Sequence, residues 1–239
     1  MRRYVASVVA ASIAIAACSA RRPATEPEEI LFNGTLQELA PHHNGDHFIY
    51  RVTATGRDDS LQVEHLTALD APGEFVVDMS ENGTAIGRQH VRDDGAALLL
   101  MSEGLLAQDL IITYEQPLPS LAVPLATTPR RARSAVTFLR GDGKVVAHGS
   151  VEQTVTAHRS TTGGAGAVFE VRTERTVVLL NRTMRLAVTT WLAPGMGEVR
   201  SEGSADGEPP VHRELLCAII EGNRVGDKCD QIAPPQTEN

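Results

Sequence analysis

The sequence is short of aromatic residues, lysine and cysteine. Among 239 residues there are one Trp, three Tyr and five Phe. A core must therefore be built from Val, Leu, Ile and Ala, which line a broad aliphatic cavity as readily as they fill a solid interior. Lys144 and Lys228 are the only lysines, and the formal net charge is −8. That balance excludes a broad nucleic-acid-binding surface, and no nucleic acid is expected as a partner. No G-x-S-x-G elbow, S-x-x-K, H-E-x-x-H or phosphate-cradling G-x-x-x-x-G-K-[ST] occurs. The expectation is a protein that is not an enzyme and needs no cofactor or metal. An active site dispersed over distant strands would leave no such local motif.

What is present begins at the N-terminus. Arg2 and Arg3 precede an apolar stretch over residues 4–14, too short for a spanning helix but of the length of a secretory signal. Ile15-Ala16-Ala17-Cys18 resembles a bacterial lipobox. The resemblance implies cleavage after residue 17 and acylation of Cys18, including a palmitate-type chain, and so a membrane held through N-terminal acyl chains. The alternatives are a plain signal peptide with a chance cysteine, or an uncleaved anchor. Ser19, where an aspartate would favour inner-membrane retention, implies the outer membrane in a host with two membranes. Residues 18–29 read as a flexible polar tether, 30–232 as a single domain and 233–239 as a flexible tail. Losing Arg2 and Arg3 with the signal takes the formal charge from −8 to −10.

The texture of the domain is β. Phe48, Tyr50, Val52 and Ala54 share one parity; so do Phe75, Val77 and Met79. Val145, Ala147, Val151 and Val155 follow the same rule, as do Phe169, Val171, Val177 and Leu179, and Met184, Leu186 and Val188. Period-two alternation means strands with one wet face. Asn82-Gly83, Asp94-Gly95 and Asp142-Gly143 suit tight hairpin turns; Asn181-Arg182 turns a long pair, and Gly163, Gly164 and Gly166 mark a loop before it. Nine to eleven strands are expected in a mostly β fold: a single strongly curved antiparallel sheet, half-barrel or barrel-like. Helix is confined to two short candidates, residues 36–40, with Thr35 and Glu38 at capping-box spacing, and residues 103–108.

Residues 114–125 form a proline-punctuated apolar crossover, and residues 190–202 form a strand, the turn Pro194-Gly195 and another strand. With Gly45, Phe48, Tyr50 and Val52 upstream, this order is similar to a group of bacterial envelope proteins called TapB-like, relatives of the lipoprotein carriers typified by LolA and LolB. The similarity spans about residues 45–202 and rests on turn and strand signatures. Glu198 stands where that pattern is apolar. The resemblance implies a curved-sheet envelope lipoprotein that binds an apolar ligand, a lipid or hydrophobic peptide. The other function considered is a structural or assembly lipoprotein that acts through contacts with an envelope protein.

An exported chain sees oxidising conditions, so Cys217 and Cys229 are expected to form a disulfide rather than remain free thiols; a loop of this length contributes about 3 kcal/mol in the chain-entropy model. His42, His43 and His47 with Asp46 could chelate zinc or copper but sit in a turn without a helix to fix their geometry, and read as solvated. Trp191 lies opposite the apolar parity of its strand, as a rim or second-core residue or an aromatic contact at a cavity mouth. Arg130, Arg131 and Arg133 read as a solvated strand end or a contact for anionic head groups. Intact-mass spectrometry of the purified protein should show a 222-residue chain acylated at Cys18; an unmodified Cys18 would reject the lipoprotein reading.

Overall fold

The computed structural model describes residues 28–160, 167–180, 182–206, 208–226 and 228–232. Cys18, the tail 233–239, the loop glycines Gly163, Gly164 and Gly166, and Asn181 lie outside the described residues. The chain runs β1 (Ile30–Phe32), α1 (Leu36–Leu39), β2 (His47–Ala54), β3 (Ser60–Ala68), β4 (Glu74–Glu81), β5 (Thr84–Asp93), β6 (Ala97–Leu105) and β7 (Leu110–Ala122). It continues through β8 (Leu125–Ala126), β9 (Arg130–Arg140), β10 (Val145–Arg159), β11 (Phe169–Leu179), β12 (Arg182–Ala193), β13 (Gly197–Ala205), β14 (Val211–Ile220) and β15 (Asn223–Val225).

Twelve of these strands make one antiparallel barrel. Each pairs with its sequence neighbour, except that β7 passes over β8 to pair with β9. The sheet closes where β14 pairs with β2 along its length and with β13 through Gly203↔Val211 to Arg200↔Glu214. Of the two forms expected, half-barrel or barrel-like, the second is found and the half-barrel is corrected: the sheet is a closed barrel, because a sheet that twists through this many strands coils round until its ends meet. Inward parity is as the alternation implies: Phe48, Tyr50, Leu66, Phe75, Val77, Val91, Val136, Phe138 and Val151 form the main core. The outer wall carries charged pairs, Arg51–Glu214, Arg88–Asp78, Arg133–Glu152 and Arg172–Glu174. Such a wall sits in water; a membrane barrel presents an apolar band there.

One end is plugged. In α1 the Thr35 side chain accepts from the Glu38 N–H at 3.2 Å and Glu38 Oε2 accepts from the Thr35 N–H at 2.7 Å, the capping box read from the sequence. Four residues make a marginal helix alone; burial of Leu36 and Leu39 among Leu121, Leu125, Ala157, Phe169, Val171 and Leu192 holds it in the barrel mouth. The turn after β12 clasps it. Met196 N–H donates to Ala193 O at 3.0 Å and Gly195 N–H donates to Glu38 O at 2.7 Å. Gly195 has φ +78°, the value a type II turn requires there.

Fifteen strands are described where nine to eleven were expected, and two local expectations also fail. Residues 103–108 are not a helix: Glu103, Gly104 and Leu105 complete β6, and only a 3₁₀ turn over Leu106–Gln108 remains. Residues 114–125 are largely strand, not crossover. Beyond Tyr114, β7 has no partner in β9, so Pro117 lacks no ladder hydrogen bond on that side, and Pro119 sits opposite Leu99 at a register shift.

Asp46 joins the plug loop to the barrel rim. Its carboxylate is fully buried and accepts from the N–H groups of His43 at 2.8 Å and Glu221 at 2.9 Å. Asp46→Ala should cost roughly 1–3 kcal/mol for each donor left without an acceptor, read as a lower urea midpoint at unchanged slope. A loss below about 0.5 kcal/mol, the size of an ordinary surface substitution, would show that the carboxylate does not tie these segments.

Candidate functional site

The barrel is hollow beneath the plug. A cavity of about 510 Å³ opens to solvent and lies between the wall of β11, β12 and β13 and that of β2 to β5, roofed by residues 40–42. Leu66, Phe75, Val77, Val91, Val171 and Leu192 are among its apolar lining. Val188 points inward by its pairing with Thr173 and Gly203, yet is 37% exposed; an inward valine that wet means unfilled space. A second cavity of about 330 Å³ lies at the far end of β2, β12 and β13 and shares Leu186 and Val188 with the first. These two side chains stand between them.

Two clusters of charge stand inside. The first lies where β14 meets β13 and β2. Arg213 Nη2 donates to Glu64 Oε1 at 2.5 Å, and its guanidinium lies over the Tyr50 ring at 4.0 Å. Its Nε is buried without a hydrogen-bond partner among the described residues; Glu198 Oε1 is 3.6 Å away and is held by the Ser201 hydroxyl at 2.7 Å. Glu64 and Glu198 line the cavity, whereas Arg213 lies behind them. Burial, and then the Glu198 charge, push the Glu64 carboxyl up, opposed by Arg213. Burial also raises the Tyr50 phenol, so it is neutral. For Arg213, burial acts downward but is overridden by the Glu64 and then the Glu198 carboxylate, which hold the guanidinium firmly charged.

The second cluster is balanced. Arg175 donates from Nη1 to Glu103 Oε1 at 2.8 Å and from Nε to Gln153 Oε1 at 2.6 Å. Tyr114 donates to Glu103 at 2.8 Å, and Gln153 Nε2 donates to Pro119 O at 2.6 Å. Burial, then the Glu103 charge, raise the Tyr114 phenol and keep it a donor. One cation meets one anion here, and the Tyr114 hydroxyl and Gln153 amide complete the cluster.

No family model and no curated protein matches the chain. Among solved structures it is similar to a protein of Bacteroides fragilis described as exported and YmcC-like in fold, at 13% identity over 78% of this chain and 98% of that one, with a TM-score of 0.42. It is also similar to a protein of Parabacteroides distasonis described as a lipoprotein, at 12% identity over 78% and 97% of the two chains, with a TM-score of 0.44.

The residues singled out in the sequence are not brought to the cavity, with one exception. His42 lines its roof, its Nδ1 and Nε2 engaged by Ala40 O at 2.7 Å and Asp93 at 2.9 Å. His43 turns to Asp46, and His47 stacks on His65 at 4.3 Å, so the three histidines do not converge. Burial and the His65 charge lower the His47 imidazole. Cys217 and Cys229 are joined by a disulfide on the outer face of β14, packed with Ile49, Val63 and Ile219, across the wall from the cavity. Trp191 faces outward under the Arg200 guanidinium at 4.6 Å. Arg130 donates to Pro124 O and Arg133 pairs with Glu152. Of the charges that matter, Glu198 stands out in the sequence as a departure from an apolar pattern, whereas Glu64, Arg175 and Arg213 do not. Their signal was a charge on the apolar parity of a strand: Glu64 in phase with Leu66, and Arg175 in phase with Val171 and Val177.

Arg213→Met leaves Glu64 and Glu198 without their counter-charge and should cost about 3 kcal/mol, the low end for a buried pair, because these side chains keep about a fifth of their exposure. Glu64→Gln in the same chain should restore part of it. The Glu64 folded-state pKa lies above its unfolded value, so its contribution is full below the ordinary glutamate range near about 4.3 and is lost as pH rises through the raised value. The stability of wild type relative to Glu64→Gln should therefore fall as pH rises from 4.5; a relative stability that rises with pH would contradict this assignment.

Proposed function

We propose that the protein is a lipid-anchored lipoprotein of the bacterial cell envelope that carries an apolar ligand inside its barrel. The observation that supports this best is the aliphatic cavity of about 510 Å³, within the ~300–1,000 Å³ of ordinary ligand sites. The lipobox-like sequence ending in Cys18 supplies the anchor through palmitate-type acyl chains, and two or more chains give stable attachment. Ser19 supports the outer membrane of a two-membrane host. In this reading the protein is a TapB-like relative of the curved-sheet carriers typified by LolA and LolB. Binding rather than catalysis fits the interior, where the guanidinium groups are engaged by neighbouring carboxylates.

An assembly role through protein contacts has weaker support, since the outer wall is laced with charged pairs. The test is uptake of a neutral apolar fluorophore, N-phenyl-1-naphthylamine. Wild type should bind it in a saturable manner, and Val188→Trp, which fills the shared waist of the two cavities, should lose binding with unchanged circular dichroism. Absence of uptake by folded wild type would reject the carrier reading.

A further inference from the structure

We propose that the ligand is a single-chain amphiphile with a cationic amine head, selected over anionic amphiphiles by Glu64 and Glu198. The inference rests on the carrier reading and names the class of molecule carried. It begins with a count of charges around the cavity. Arg175 is matched by Glu103 and further engaged by Gln153. His42 is matched by Asp93. Arg213 alone stands between two carboxylates. With both carboxylates ionised the cavity wall carries one more acid than the cations balance, and that excess lies at Glu64 and Glu198.

The geometry places the excess where a ligand can reach it. Both carboxylates line the cavity, and the guanidinium is behind them against Tyr50. The hydrogen bonds to each carboxylate converge on one oxygen. Glu64 Oε1 accepts from Arg213 and from Gln62 Nε2 at 3.3 Å. Glu198 Oε1 accepts from Ser201. Among the described residues no hydrogen bond reaches Oε2 of either. Arg213 Nη2 is committed to Glu64, and its Nε stands 3.6 Å from Glu198, beyond hydrogen-bond distance, so among the described residues Glu198 receives no hydrogen bond from a cation. An ammonium supplies three donors and the missing positive charge, and charge-assisted hydrogen bonds are stronger than neutral ones. A carboxylate or phosphate head would add a third anion, which like-charge repulsion disfavours.

The apolar part has its own lining in Leu66, Phe75, Val77, Val91, Val171 and Leu192, which surrounds an aliphatic tail without polar demand. The second cavity adjoins the first across Leu186 and Val188, which line both.

The experiment uses the whole mature chain, residues 18–239, with Cys18→Ser so that no attached acyl chain competes. Decylammonium, decanol and decanoate are each titrated against bound N-phenyl-1-naphthylamine at pH 7, where an alkylammonium with a lysine-like pKa stays charged. Decylammonium should displace the fluorophore at a concentration about tenfold below that of decanoate or decanol. In Glu198→Gln, which keeps the shape but removes one charge, the ratio of ammonium to alcohol affinity should fall below about threefold. Decanoate or decanol equal to decylammonium would overturn the proposal, as would displacement by none of the three while the fluorophore binds. A fluorophore that does not bind at all would instead overturn the carrier reading, and this inference with it.

Discussion

The short ladder between β13 and β14 is the constraint on which the rest depends. Four residue pairs, from Arg200↔Glu214 to Gly203↔Val211, convert an open curved sheet into a tube. Without them β2 and β14 would still pair, but the sheet would have a free edge at β13 and its inner face would be a groove. Closure gives the interior two walls and so makes a cavity. It also puts Arg213 at the seam, opposite Ser201 of β13 on one side and Val52 of β2 on the other. From there it holds Glu64 of β3 and faces Glu198 of β13, so the electrostatic cluster of the site spans the seam.

That position explains why the two interior clusters behave differently. Removing charges from water costs several kcal/mol per ion, and only a well-matched geometry repays it. The Arg175 cluster repays it with one acid, two planar hydrogen bonds from the guanidinium and a neutral tyrosine donor. The Arg213 cluster has two acids, an orphaned Nε and free acceptor capacity toward the cavity. Local stability alone would favour an apolar residue at 198, as in the pattern that the segment around Pro194-Gly195 resembles. A carboxylate there lowers the quality of the packing and raises the chemical selectivity of the space beside it.

Much of the fold was legible because strand parity is a local property. The faces of β2, β4, β11 and β12 followed from alternation, and the α1 cap followed from Thr35 and Glu38. What failed were features fixed by distant partners. β7 looked like a crossover because Pro117 and Pro119 forbid a central strand, and only the absence of a β9 partner beyond Tyr114 lets them sit there. Residues 103–108 looked helical because their composition suits a helix, while pairing with β5 and β7 makes Glu103 a strand residue. Closure was not readable either, since nothing local in β13 or β14 says that they meet. The site was least legible of all. Each of its charges lies on a different strand, and a single charge on an apolar face means nothing until its partner is known.

The shortage of aromatics decides where the hollow lies. A twelve-strand barrel is wider than the eight-strand barrels whose side chains just fill them, so bulky residues must be spent where filling is wanted. Phe48, Tyr50, Phe75, Tyr114 and Phe138 enter the interior core from β2, β4, β7 and β9. The facing wall of β11 to β13 contributes Thr173, Leu186, Val188, Thr190 and Gly203 across its middle. Small and branched side chains there cannot span the gap, and the void follows that wall. Leu186 and Val188 stay accessible from within because nothing opposite is large enough to cover them. Replacing either by an aromatic residue would move the molecule toward a solid barrel. The composition and the cavity are thus one fact seen at two scales, and the acid pair beside the cavity gives the unfilled space a chemical preference.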